Sequence, residues 1–294
     1  MLEIKLRKSK KYIMLAPALL VIGITSTYPI LYAFWLSFQK WSVSESSKPQ
    51  GFVGFDNYIR GFADPQFLAV AKTTGIYVFI SVMLSVIFGL TMALLLQKPG
   101  KLNTVIKVML IFPFAISPAL KGFTFKFMLS PDFGILDRII KFIFPFARDI
   151  LWLAQPWWAL FWLSITEVWG WAPLIALMFI GALGTISPSI FEAAKLDGTN
   201  NFQLFYHITL PLLKPIILVI VLLRIIFSLK MFDQVVTMTG GGPGTSTQVF
   251  NFFIYTTGFR YMDMGYAGAL AAILVVIMAI VSSVYVKTLS GKGL

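Results

Sequence analysis

The sequence has no cysteine, a single histidine and only 12 acidic residues among 294. Without cysteine there is no disulfide and no thiolate metal site, although this does not identify a redox compartment. The one histidine, His207, therefore has no cysteine partners for a metal, and an intramembrane hydrolase would lack most of its usual groups. Charge of either sign is scarce: Asp, Glu, Lys and Arg make up 12% of the residues, against roughly 25% in a soluble domain. Apolar residues take their place, at 58% with a mean hydropathy of +0.83. These values exclude an ordinary soluble enzyme and a disordered chain, and leave a polytopic membrane protein. A nucleotide-binding P-loop is also missing, because it needs Lys and then Ser or Thr after its second Gly. Gly240 to Gly244 reads GGGPG, followed by Thr245, Ser246 and Thr247 with no Lys, and is expected to be a flexible exterior turn.

Three uncharged stretches, Tyr12 to Phe38, Gly75 to Leu96 and Met264 to Val286, each exceed the roughly 18–20 residues needed to cross a bilayer core. The first follows Lys5, Arg7, Lys8, Lys10 and Lys11. It is longer than the apolar core of about 7–15 residues in a secretory signal, so it is expected to remain as an anchor. Three more spans are interrupted. Between Thr104 and Leu129 only Val108 to Leu120 is uncharged, and Pro113 and Pro118 lie inside it, which predicts a broken or kinked span. Leu151 to Ile186 is interrupted only by Glu167 and is too long for one straight crossing. Leu151 to Trp158 is therefore expected along the interface, with Trp152, Trp157 and Trp158 as belt residues and the span starting near Ala159. Pro215 to Met238 carries Arg224, Lys230 and Asp233 among Ile, Leu, Val and Phe. The chain thus reads as all-α, one transmembrane domain over residues 1–294. Its six spans are expected near 12–38, 72–97, 104–129, 159–184, 215–238 and 264–287, with no repeat or dividing linker.

Cations orient the spans. The N-terminal tail, Lys98, Lys101, Lys107, Lys195, Lys214, Lys287 and Lys292 fall on one side. The fewer Lys40, Lys48, Arg60, Arg138, Lys141, Arg148 and Arg260 fall on the other. This bias predicts both termini in the cytoplasm, and the basic excess then needs no nucleic-acid partner. Residues 187–214 become a cytoplasmic loop. Ser187 can cap a helix with Pro188 at its first position, and Ile190, Phe191, Ala193, Ala194 and Leu196 build a short amphipathic helix ended by Gly198. Asn200 or Asn201 can cap a second short helix, after which Pro211 and Pro215 lead into the fifth span. By pattern alone this is either an interfacial re-entry segment or a docking element.

Glu192, Ala193 and Ala194, then Gly198, then Ile208 with Leu210 and Pro211, resemble the EAA loop of the membrane subunits of binding-protein-dependent ABC importers. FVGFDNY at 52–58, LSPDFGILDRI at 129–139, EVWGWAPL at 167–174 and FDQVVTMTGGGPGTST at 232–247 resemble the sugar-permease branch, the maltose-type and glycerol-phosphate-type permeases. The first exterior loop, about Gln39 to Leu68, is too short for the large inserted domain of some maltose-type subunits. The resemblance implies a type I importer permease fold and a role in passing a carbohydrate across the cell membrane. It implies as partners a second homologous permease, two cytoplasmic ATPase subunits that hold ATP and Mg, and an external solute-binding protein. No cofactor is expected on this chain. In such a family the EAA loop is a coupling helix seated in a groove of the ATPase. That implies a coupling role for Glu192, Ala193, Ala194, Asp197, Gly198, Ile208, Leu210 and Pro211, with Phe191 and Leu196 as anchors.

Ionisable groups inside a bilayer usually face a protein interior or an aqueous cavity. Counted from opposite ends of their spans, Glu167 and Arg224 reach similar depths, so they are expected to pair or to share a polar path. Lys230 and Asp233, three residues apart, are expected to form a local pair. A sugar path needs aromatic faces and polar groups, which Trp169, Trp171, Phe232 and Asp233 offer; packing and an interfacial belt are the other account of them. Gly265 with Ala269, and Gly268 with Ala272, make small-xxx-small patterns suited to close packing. The competing function is an ion-coupled secondary transporter, which would show paired repeats, interrupted helices and coupling acids.

Overall fold

Long apolar runs with few charges set the architecture, because a backbone in hydrocarbon satisfies its own hydrogen bonds only as helix. The computed structural model describes residues 14–290, with side chains to 287. The basic N-terminal residues, Tyr12 and Lys292 lie outside the described residues. Among the described residues five helices are long and apolar enough to cross a membrane: α1 (Met14–Leu36), α3 (Pro65–Leu96), α7 (Pro156–Leu183), α9 (Asn201–Leu229) and α11 (Met264–Lys287). A further apolar pair, α4 (Lys101–Ala115) and α5 (Pro118–Met128), is bent by 96° and makes a sixth candidate if counted as one span. The break has a local cause. Ile116 and Ser117 are extended, with ψ of 134° and 145°; Ser117 precedes proline, which disfavours helical backbone there, and it restarts the helix as its N-cap with Pro118 at the first position.

Shorter elements join these: a two-stranded antiparallel ribbon of β1 (Gln39–Lys40) and β2 (Gly51–Phe52), and helices α2 (Asp56–Ala63), α6 (Ile135–Ile143), α8 (Pro188–Leu196) and α10 (Phe250–Tyr255).

Residues 14–67 with 254–276 form one compact unit, and 68–253 with 277–290 another. The three boundaries fall inside helices α3, α10 and α11. In the first unit Asn57 is buried and its Nδ2 donates to the carbonyls of Ser37 and Gln39, both at 2.9 Å. Gly265 lies against the backbone at Gln39 and Trp41, and Gly268 against Ala33 and Ser37. The small residues of the last span therefore serve close approach of backbones.

The second unit departs from the sequence expectations in three places. The seventh helix starts at Pro156, not near Ala159, and Trp152 is no belt residue. It is 3% exposed, and its indole N–H donates to Asp137 Oδ1 at 2.8 Å, while Lys141 pairs with the same oxygen at 2.8 Å. A buried indole needs such an acceptor, and Asp137 on α6 supplies it. Next, the helix expected over 215–238 runs from Asn201 to Leu229 with Pro215 inside it. The π-helical stretch Phe205–Thr209 carries it from the preceding loop into the span. Beyond Leu229 the chain turns at Lys230 and re-forms a π-helical stretch over Val235–Thr239, packed against α5. Last, the glycine-rich turn is pinned. Thr247 Oγ1 donates to the Gly242 carbonyl at 2.7 Å and bonds Thr239 Oγ1 at 2.8 Å, and Gly241, at φ +89°, lies against Phe252.

Candidate functional site

The second unit holds two arrangements that carry chemistry. The first is a buried charge cluster. On α7, Glu167 and Trp171 are four residues apart and share a face; on α9, Arg224 and Ser228 do the same. Arg224 Nη1 donates to Glu167 Oε1 at 3.1 Å and Nη2 to Ser228 Oγ at 3.1 Å, and the guanidinium carbon lies 4.4 Å from the centre of the Trp171 ring. Gln234 Nε2 donates to Glu167 Oε2 at 3.0 Å. Both carboxylate oxygens are thus engaged, and the arginine is 1% exposed. Arg224 Nε and Gln234 Oε1 have no hydrogen-bond partner among the described residues. Around Ser228 the polar seam continues through Ser81, 3.3 Å away on α3.

This cluster backs a cleft of about 220 Å³ lined by Lys121, Glu167, Trp171, Phe227, Phe232, Asp233 and their neighbours. Aromatic faces, carboxylates and an amine thus meet at one opening, a set able to stack on a sugar ring and bond its hydroxyls. Of the residues the sequence nominates, Glu167, Trp171, Phe232 and Asp233 line it, and Arg224 lies behind it. Trp169 does not: it is 39% exposed and packs edge to face on Phe125. Lys230 and Asp233 do not pair, because the helix that would hold them three residues apart has ended at Leu229. Lys121 and Gln234 are the residues that sequence reasoning missed. Lys121 reads as a flank of an apolar run until Pro118 is recognised as a restart, which places it a turn inside α5. Gln234 has no comparable signal, since the turn at Lys230 directs it.

The second arrangement is the loop at 187–210. Ser187 stands at the N-cap position of α8 but makes no side-chain cap bond, its Oγ lying 2.8 Å from Ser189 Oγ; Pro188 takes the first position, and Gly198 closes the helix at φ +77°, its N–H bonding to the Lys195 carbonyl at 3.1 Å. Thr199 then bonds the Ala194 carbonyl through its N–H and its hydroxyl, at 3.2 and 2.6 Å. Asn200 is the cap of the next helix: its Oδ1 accepts from Gln203 N–H at 2.8 Å, and Gln203 Oε1 accepts from the Asn200 N–H at 2.9 Å. Ala194 is buried, Glu192, Ala193 and Asp197 are exposed, and Leu196 is 90% exposed. The two expected anchors therefore separate. Phe191 is half-buried and lines a hollow with Leu94, Gln97 and Leu204 of its own chain, whereas Leu196 points outward. Ile208 and Leu210 are half-buried and Pro211 is exposed. His207 is exposed, and among the described residues no cluster of metal-ligating side chains occurs.

Comparison with known proteins adds to this geometry. Residues 85–292 match the model of the binding-protein-dependent transport system inner membrane component. Over 280 residues, 95% of this chain and 90% of the relative, it is 32% identical to the sulfoquinovosyl glycerol transport system permease protein SmoG of Agrobacterium fabrum. It is 32% identical over 289 residues, 97% of this chain and 95% of the relative, to the trehalose/maltose transport system permease protein MalF of Thermococcus litoralis. In fold it is similar to a chain of a bacterial ABC transporter involved in the import of the acidic polysaccharide alginate, with a TM-score of 0.80, 22% identity and 97% of each chain covered.

Proposed function

The chain belongs to the family of binding-protein-dependent transport system inner membrane components, and from that premise we propose that it is the permease subunit of an ATP-driven importer for a sugar, oligosaccharide or related carbohydrate. Relatives at 32% identity over nearly the whole chain carry sugar-transport names, which supports the substrate class. Its partners in this reading are a second homologous permease, two ATPase subunits that hold ATP and Mg, and an external solute-binding protein. It lies in the cell membrane with both termini in the cytoplasm, as the cation bias favours.

The observation that carries this reading is the loop at 187–210. Its Ala193 is small enough for close approach, its Leu196 is offered outward, and the left-handed Gly198 and the capping box of Asn200 and Gln203 hold it as a rigid lever. Closure of the ATPase dimer pushes on that lever, and the helix after its turn, α9, runs on from Asn201 through Arg224. Trp171, Phe232, Asp233 and Glu167 then belong to the substrate path. The test is uptake into vesicles holding the assembled importer and its binding protein. Uptake is expected to require internal ATP and to survive collapse of proton and sodium gradients. Uptake by this chain alone, driven by an ion gradient, would overturn the proposal.

A further inference from the structure

The cleft beside the ion pair carries more positive charge than the chain neutralises. Glu167 spends one oxygen on Arg224 and the other on Gln234. Lys121 is 3% exposed, lines the same cleft, and makes no hydrogen bond or ion pair among the described residues. A methyl group at Gly170 would lie 2.6 Å from its Nζ and 3.2 Å from its Cδ and Cε, so the side chain is laid across a glycine that makes space for it. Asp233, the other acid of the cleft, is exposed and forms no ion pair with it. Two buried cations, Arg224 and Lys121, thus share the one buried acid, Glu167, and only Arg224 bonds it; such an excess of buried charge is costly, and a compact ammonium is a strong point donor to an oxyanion. Beside it stand the rings of Trp171, Phe227 and Phe232.

We propose that Lys121 receives an oxyanion of the transported saccharide, a carboxylate, sulfonate or phosphate ester, so that the substrate is an acidic carbohydrate. This rests on the cleft being part of the sugar path. Trp171 and Phe232 stack on the ring while Lys121 selects its charge, and a neutral sugar leaves the excess positive charge of the cluster uncompensated.

The assembled importer with its binding protein is reconstituted in vesicles of phosphatidylethanolamine and phosphatidylglycerol. It is then offered labelled glucuronate-containing disaccharide, galacturonate oligosaccharides and a sulfonated hexose alongside maltose and trehalose. The acidic probes are expected to enter. Lys121→Met should lower their uptake by about tenfold to a hundredfold, the worth of one hydrogen bond to a charged group, and Lys121→Arg should retain most of it. Uptake of the neutral probes alone overturns the inference and leaves the carbohydrate reading standing; uptake of neither class removes that reading, and this inference with it. Acidic uptake untouched by Lys121→Met places the counter-ion elsewhere and overturns the assignment. If Lys121→Met and Lys121→Gln both lose their ATPase subunits on purification, the protein itself needs the charge, and the ligand role fails.

Discussion

Removing either member of the Glu167–Arg224 pair is expected to destabilise the subunit, but by unequal amounts. At an N···O distance of 3.1 Å and with side-chain exposures of 9% and 1%, the two charges lie in a medium of intermediate polarity. Unit charges about 4 Å apart then attract by about 4 kcal/mol, in line with the roughly 3–5 kcal/mol lost when a buried pair is left with one partner. Lys121 breaks the symmetry, since it interacts electrostatically with both charges. Glu167→Gln leaves Arg224 and Lys121 as two buried cations with no acid between them, and should cost the full ~3–5 kcal/mol. Arg224→Gln leaves Glu167 with Lys121 as counter-ion and Gln234 still donating, so its cost should be clearly smaller. The double variant returns the local net charge to its original value and should recover much of the loss.

The assay is equilibrium unfolding of the purified subunit in mixed micelles, followed by tryptophan fluorescence and repeated for the wild type, both single variants and the double variant. The ranking and the non-additivity are the two readouts. Strict additivity of the single losses, to within about 0.5 kcal/mol, would mean that the groups do not interact. Arg224→Gln as damaging as Glu167→Gln would remove Lys121 from the cluster.

Gly198→Pro cannot adopt φ +77° and should abolish ATPase co-purification and uptake while membrane insertion persists; Gly198→Asn, which tolerates left-handed backbone, should keep both. Leu196→Asp is expected to leave stability unchanged, because that side chain is 90% exposed, and to weaken ATPase binding measured by pull-down. Asn57→Ala withdraws one amide from two buried carbonyls and should lower stability by about 2–4 kcal/mol, at roughly 1–3 kcal/mol per stranded acceptor less partial relaxation, read by thermal unfolding. Gly170→Val should push Lys121 out of its berth and reduce the assembled protein recovered in detergent.

Much of this fold was legible, and the illegible parts share a cause. Helix existence followed from uncharged runs, the helix break from Pro118, and the α8 boundary from Pro188 and Gly198, all of them local signals. The end of the fifth span was not readable, because no glycine or proline marks Lys230. The turn there depends on the packing of Val235–Thr239 against α5, where Gly122 leaves room for Thr237. Trp152 was misplaced for a similar reason. A tryptophan near a span end fits an interfacial belt, and only the folded chain brings Asp137 to its indole nitrogen.

The charge cluster separates the two kinds of information most clearly. Counting residues from the span ends yields depth, which is one coordinate along the membrane normal, and it sufficed to set Glu167 beside Arg224. Which way a side chain points around its helix is a second coordinate, and it depends on where that helix starts. For Lys121 the phase is reset at Pro118, after two extended residues and a 96° bend. Depth counted from Thr104 therefore could not place its amine across Gly170 and beside Glu167. The same reset makes the arrangement sensitive to the break itself. Ser117→Ala removes a weak cap, a 3.4 Å bond from the Leu120 N–H, and should cost at most about 1 kcal/mol. Pro118→Ala lets Ser117 become helical and rotates α5, so it should disturb Lys121 and any selection for charge far more than it lowers stability. Comparing uptake of acidic and neutral probes by the two variants separates these effects. Equal selectivity in both would show that the break does not set the position of Lys121.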